Sequence, residues 1–87
     1  MQDTTQKIIR RLQVIEGQVR GLQSMVSSST YCIDVITQTS AVKQALSRVE
    51  DMLLESHLGH CVVKQIKTGN AEKVTREVLQ VYRLKRK

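Results

Sequence analysis

The sequence predicts an all-α protein, and three observations carry that expectation. Proline is absent, glycine occurs four times, and there is no Trp or Phe, so few residues break or redirect a helix. Apolar residues recur at steps of three or four over long stretches, which is the repeat of one helix face. A quarter of the residues are charged, enough to solvate the opposite faces. At 87 residues the chain makes one domain, 1–87, and a chain this short buries a smaller share of its surface than a larger domain does. Long helices in so short a chain need partner helices, and self-association is the default expectation.

The first helix is marked by Ile8, Leu12, Ile15, Val19, Leu22, Met25 and Val26, which form one stripe. Gly17 and Gly21 lie four apart on a common face. Each costs about 1 kcal/mol of helix propensity relative to Ala but permits close backbone approach, so tight packing against another helix would explain them. The run Ser27-Ser28-Ser29-Thr30 then interrupts the periodicity with residues that favour turns and N-caps, and a second helix begins there. Ile33, Ile36, Ser40, Val42, Leu46, Val49, Leu53 and Leu54 keep its spacing as far as Leu58, and the helix should reach Val62 or beyond. Lys64 and Lys67 suit its last turn, and Thr68-Gly69-Asn70 is a stop signal. Glu72 opens a shorter third helix whose buried stripe would be Val74, Val78, Val81 and Tyr82. No pair of short helices joined by a four-residue turn offers a helix-turn-helix.

Charge and targeting narrow the function classes. A net charge of +6 raises the local potential toward polyanions, although a merely well-solvated basic surface reads the same way. The opening MQDTTQKIIRRL lacks the apolar run of a secretory signal, and no stretch approaches the ~20 apolar residues of a membrane span. The expected compartment is the cytoplasm, where two cysteines serve as thiols, ligands or redox centres more readily than as a structural disulfide.

His57 and Cys61 are four apart on the second helix, so their side chains project from one face within reach of a single ion. Alone, such a pair is weak: a free cysteine often serves as a small buried apolar residue. Cys32 is the third candidate, 29 positions before Cys61, which is roughly 43 Å along a continuous helix. One chain cannot close that triad. Two copies of the helix packed antiparallel about a two-fold axis would bring Cys32 of one near His57 and Cys61 of the other, giving two identical sites. The axis would cross near Ala45 and Leu46, where Ala41 and Ala45 allow close contact. Two thiolates and an imidazole make a soft three-coordinate set that suits Cu(I), whereas Zn(II) seeks a fourth ligand and Ni(II) prefers square-planar coordination. His60 is rotated about 100° from Cys61 and stays outside the set.

RRLQVIEGQVRGLQSMV (Arg10 to Val26), YCIDVITQTSAVKQAL (Tyr31 to Leu46) and LLESHLGHCV (Leu53 to Val62) closely resemble the copper-sensitive operon repressor family, and the likeness covers most of the chain. The spacing Cys-x24-His-x3-Cys resembles the ligand pattern of that family's Cu(I) sensors. The resemblance implies a three-helix protomer, a dimer built as an antiparallel four-helix bundle, and a dimer-of-dimers homotetramer that binds operator DNA without a helix-turn-helix. Cu(I) bound across the protomer interface would weaken DNA binding and derepress copper-resistance genes.

It also implies that Tyr31 and Glu77 hydrogen-bond toward the metal-bound histidine. Periodicity alone reads Tyr31 as a half-buried aromatic at a helix start and Glu77 as a solvated charge. Arg11 and Arg48 match basic positions that the family uses against DNA, and Lys7, Arg10, Arg20 and Lys43 offer further phosphate contacts; each reads equally well as an ordinary surface charge. The tail Arg83 to Lys87 suits a helix end near the negative pole of its dipole.

Relatives in the same superfamily respond to nickel or cobalt, to formaldehyde, or to persulfides. This chain has no histidine before His57, no proline, and keeps His57 beside its two cysteines, so copper survives each comparison. A persulfide- or nickel-responsive repressor and a copper-buffering protein without DNA binding are the alternatives. No set of nucleophile, base and oxyanion donors points to an enzyme.

Overall fold

The computed structural model describes the backbone of residues 2–86 and the side chains of residues 4–86. Lys87, the end of the basic tail, lies outside them. Helix α1 spans Gln2–Ser27, α2 spans Cys32–Ser56, a π-helical segment spans His57–Val62, α3 spans Val63–Lys67 and α4 spans Ala71–Arg86. No strand occurs among the described residues. The expected second helix is the run from α2 through α3: the backbone stays in the right-handed helical region at Ser56, Val62 and Val63, so the π turn widens the helix without ending it. No helix among the described residues is long and apolar enough to cross a membrane.

The two turns are built alike. After α1, the Thr30 N–H donates to the Met25 carbonyl at 2.9 Å and the Ser29 N–H to the Val26 carbonyl at 3.2 Å, while Ser29 adopts a left-handed φ of 57°. After α3, the Asn70 N–H donates to the Gln65 carbonyl at 2.8 Å and the Gly69 N–H to the Ile66 carbonyl at 3.1 Å, with Gly69 at φ 87°. Both pairs of bonds are those of a Schellman cap, which satisfies carbonyls that a helix end would otherwise leave unpaired. The serine run therefore closes α1 instead of opening α2. The second helix starts at Cys32, with the Tyr31 carbonyl accepting from the Asp34 N–H at 3.0 Å.

The chain divides into two compact units, Met1–Leu54 and Glu55–Lys87. In the first, Ile8 and Ile15 of α1 cluster with Val42 and Val49 of α2, and Leu22, Ala45 and Met52 pack on the cluster. These positions repeat at seven in α1 and at three and four in α2, the spacing of a helix hairpin seam. Leu12 and Val19, from the same expected stripe, stay 42% and 40% exposed, because the apolar band of α1 is wider than the strip that α2 covers. Gly17 and Gly21 also face open space: a Cβ at either would meet nothing within 4 Å, so α2 of the same chain is not what approaches them. In the second unit Val62 and Val74 are buried and Val78 and Val81 are half-buried. Tyr82, expected in that stripe, is instead 58% exposed, with the Arg86 guanidinium 5.5 Å from its ring centroid. A cation over the ring face gives an exposed tyrosine a partner that burial would remove.

Candidate functional site

Both metal-ligand candidates of the second unit fall on the π-helical segment. His57 is its first residue and Cys61 its fifth, and both side chains are half-buried. A turn closed by an i→i+5 bond is wider than an α turn, so residues four apart come closer to eclipsing each other along the axis. The segment thus keeps an imidazole and a thiol on one face. Gly59 stands between them with open space around its Cα, and it places no side-chain demand on the widened turn. His60 is exposed, in keeping with its rotation away from Cys61.

Cys32 is the first residue of α2, exposed and free, and it belongs to the first unit. Among the described residues, no three His, Cys, Asp or Glu side chains of one chain gather into a set able to hold a metal ion. His57 and Cys61 share one short helical segment of the second unit, while Cys32 belongs to the first. Tyr31, beside Cys32, is 68% exposed, and Glu77 is half-buried on α4 in the unit that carries His57 and Cys61.

Four of the six basic residues singled out for nucleic acid share one feature of the first unit. Lys7, Arg10 and Arg11 from α1 and Arg48 from α2 line a groove of about 460 Å³. Arg11 and Arg48 reach it from the two different helices of the hairpin. Four cations around one concavity repel each other in the free protein, and a polyanion seated there relieves that repulsion and gives up its own counterions. Arg20 and Lys43 are exposed but do not line the groove. Gln18, which charge counting passes over, does line it. Its only signal in the sequence is its place seven residues after Arg11, on the same helix row.

Residues 4–83 match the family described as metal-sensitive transcriptional repressor. The chain belongs to that family. The repressor is a regulator by descent and not an enzyme. It is 47% identical over 77 residues to the copper-sensing transcriptional repressor CsoR of Bacillus subtilis (strain 168), an alignment that covers 88% of this chain and 76% of that one. It is 50% identical over 60 residues to the copper-sensing transcriptional repressor RicR of Mycobacterium tuberculosis (strain ATCC 25618 / H37Rv), covering 69% of this chain and 62% of RicR. The repressor thus spans about three-fifths of the length of that mycobacterial relative. Among solved structures it resembles the copper-sensing repressor CsoR with Cu(I) from Geobacillus thermodenitrificans NG80-2, with a TM-score of 0.89 and 44% identity over 100% of this chain and 91% of that one.

Proposed function

We propose that this chain is a Cu(I)-responsive transcriptional repressor of the cytoplasm, which binds operator DNA in its metal-free form and releases it when Cu(I) binds, derepressing copper-resistance genes. The observation that carries the reading is the pairing of His57 and Cys61 on a π turn, in a metal-sensitive repressor that also carries Cys32. The 44% identity to a repressor crystallised with Cu(I) supports the choice of metal. In the proposed site Cys32 of one protomer joins His57 and Cys61 of its partner, so each dimer holds two sites and a homotetramer four. Residues 1–87 then act as one functional domain, complete only as an oligomer. Two thiolates and an imidazole fit a soft monovalent ion without a fourth ligand, and a bound Cu(I) supplies a tie between two chains. Glu77 and Tyr31 orient the His57 ring, since a ligating imidazole uses its second nitrogen for an outer hydrogen bond. Lys7, Arg10, Arg11 and Arg48 face DNA phosphates, with Arg20 and Lys43 at the margin.

DNA release follows from linkage. If metal-bound and metal-free oligomers differ in their fit to DNA, each ligand lowers the other's affinity by the same factor, corresponding to about 1–3 kcal/mol in allosteric proteins generally. The test is a DNA-binding assay against the protein's own upstream region, repeated with Cu(I), Zn(II), Ni(II) and a persulfide donor. Cu(I) alone should release the DNA. Cys32→Ala, His57→Ala and Cys61→Ala should each bind DNA as the wild type does and ignore copper. A variant still released by Cu(I) removes that residue from the ligand set, release by the persulfide donor or Ni(II) alone reassigns the inducer, and no DNA binding at all leaves a copper buffer.

A further inference from the structure

The charge of this chain is unevenly divided. Residues 55–87, the second compact unit, hold eight of the fourteen Lys and Arg but three of the eight Asp and Glu, a formal net charge of +5 against +1 for residues 1–54. The first unit, groove included, thus carries one of the six net charges. Much of the remainder lies on α4. Its inner face is set by the buried Val74 and the half-buried Val78 and Val81, spaced four and three apart. On the other side Arg76, Arg83 and Arg86 are exposed and follow one another at seven and three, which puts them in one row about 15 Å long. Glu72 heads the row, and Lys73 is exposed beside it.

Two ordinary explanations fall short. Cations in a last helical turn offset the negative pole of the dipole, an effect confined to that turn, and this covers Arg83 and Arg86. Lys73 lies in the first turn of α4, where the dipole disfavours a cation, and Arg76 lies beyond its reach. A membrane-surface helix needs a continuous apolar stripe beside its cations. The exposed apolar residues here are Leu79, Tyr82 and Leu84, and Leu84 stands about 140° round the helix from Leu79, so no such stripe forms. A duplex fits the row. One strand carries a phosphate every 3.4 Å or so of axis, and about 15 Å of row faces about four of them. Arg86 is already held for such a contact, its guanidinium carbon 5.5 Å from the Tyr82 ring centroid. A guanidinium resting against a ring has fewer rotamers to lose when its N–H fork meets phosphate oxygens. We propose that the outer face of α4, through Arg76, Arg83 and Arg86, is a second contact surface for the DNA backbone and supplies affinity that does not depend on sequence. This rests on the DNA-binding reading above, in which the first unit alone meets DNA.

The test titrates salt against the affinity of the full-length metal-free protein for a duplex from its own upstream region and for a random duplex. Arg76→Gln, Arg83→Gln and Arg86→Gln, combined in one chain, remove three charges and keep good helix formers. This variant should bind both duplexes more weakly by the same factor, with the slope of log affinity against log salt reduced by about 3 for each protomer that meets the DNA. Arg76→Lys, Arg83→Lys and Arg86→Lys, combined likewise, should restore the slope, which a misfolded chain would not do. An unchanged slope in the glutamine variant, an equal loss in the lysine variant, or a loss confined to one duplex overturns the proposal. So does a glutamine variant that binds DNA as the wild type does but loses binding to vesicles of anionic lipid, which assigns the row to a membrane surface. Arg11→Ala separates this failure from that of the reading beneath it: a slope lowered by Arg11→Ala and untouched by the glutamine variant leaves the groove on the DNA and takes α4 off it. A wild type that binds neither duplex overturns the DNA-binding reading itself, and the proposal with it.

Discussion

Arg11 and Arg48 come from different helices yet line one groove, and that convergence separates them from the exposed charges around them. A phosphate contact made by either should appear in the salt dependence of binding. Arg11→Ala and Arg48→Ala should each weaken metal-free DNA binding and reduce the salt slope by about 1, measured by titrating operator duplex across a range of salt concentrations. Arg20→Ala should leave the slope nearer its starting value, because Arg20 stands outside the groove. The sequence alone ranks these residues only by charge, and by charge Arg20 and Arg11 are equal. What distinguishes them is the α1–α2 seam, a contact between positions some 35 residues apart that no local spacing encodes. His57 and Cys61, in contrast, were legible, since a spacing of four puts them on one face of an α turn or a π turn alike.

The same helical period explains why the elements were read well and one of their junctions was not. Ile8, Ile15, Val42 and Val49 repeat at seven, and the hairpin seam follows directly from that repeat. The widened turn at His57–Val62 leaves no trace in the pattern, because apolar spacing of three and four tolerates one extra residue per turn. Ser and Thr favour both ends of a loop, so the serine run is ambiguous in sequence, and hydrogen bonding assigns it to the end of α1. Two residues with the same left-handed backbone but different side chains make the caps a matched pair. Gly69 bears its positive φ without strain, whereas Ser29 pays for its Cβ. Gly69→Ala should destabilise the protein by about 1–2 kcal/mol, with no clash involved since nothing lies within 4 Å of the added carbon. Ser29→Gly should stabilise it by less than about 1 kcal/mol, because the greater freedom of glycine in the unfolded chain offsets part of the relief. Urea midpoints at a fixed protein concentration would check both.

At the scale of the whole molecule the notable quantity is how much aliphatic surface a single chain leaves uncovered. Among the described residues six hydrophobic side chains are buried, while Ile33, Ile36, Leu46 and Leu53 of α2 are 53%, 62%, 43% and 52% exposed. Such side chains on the central helix match an oligomer in which α2 packs on its copy, the arrangement that the proposed ligand set also calls for. Thermal stability should then depend on protein concentration, the midpoint rising as the chain is concentrated, because folded chains associate and unfolded ones do not, so mass action favours the folded, assembled state. A midpoint constant over a hundredfold range would argue for a self-sufficient monomer. Length and helix content raise the expectation of a partner, and the exposed aliphatic residues of α2 agree with it; the exposure of Leu12 and Val19 was not legible, because one apolar band on α1 serves both the hairpin and the exterior.

The placement of the aromatic residues has an optical consequence. Without tryptophan, the ultraviolet emission of this protein comes from two phenols, one next to Cys32 and one beneath Arg86. Tyr31 borders a candidate ligand and Tyr82 does not, so the chain carries a native fluorophore at one end of its proposed site and a second emitter remote from it in sequence. Loading and assembly can therefore be followed by eye of the spectrometer in unlabelled protein, without adding a dye to a surface meant to grip DNA.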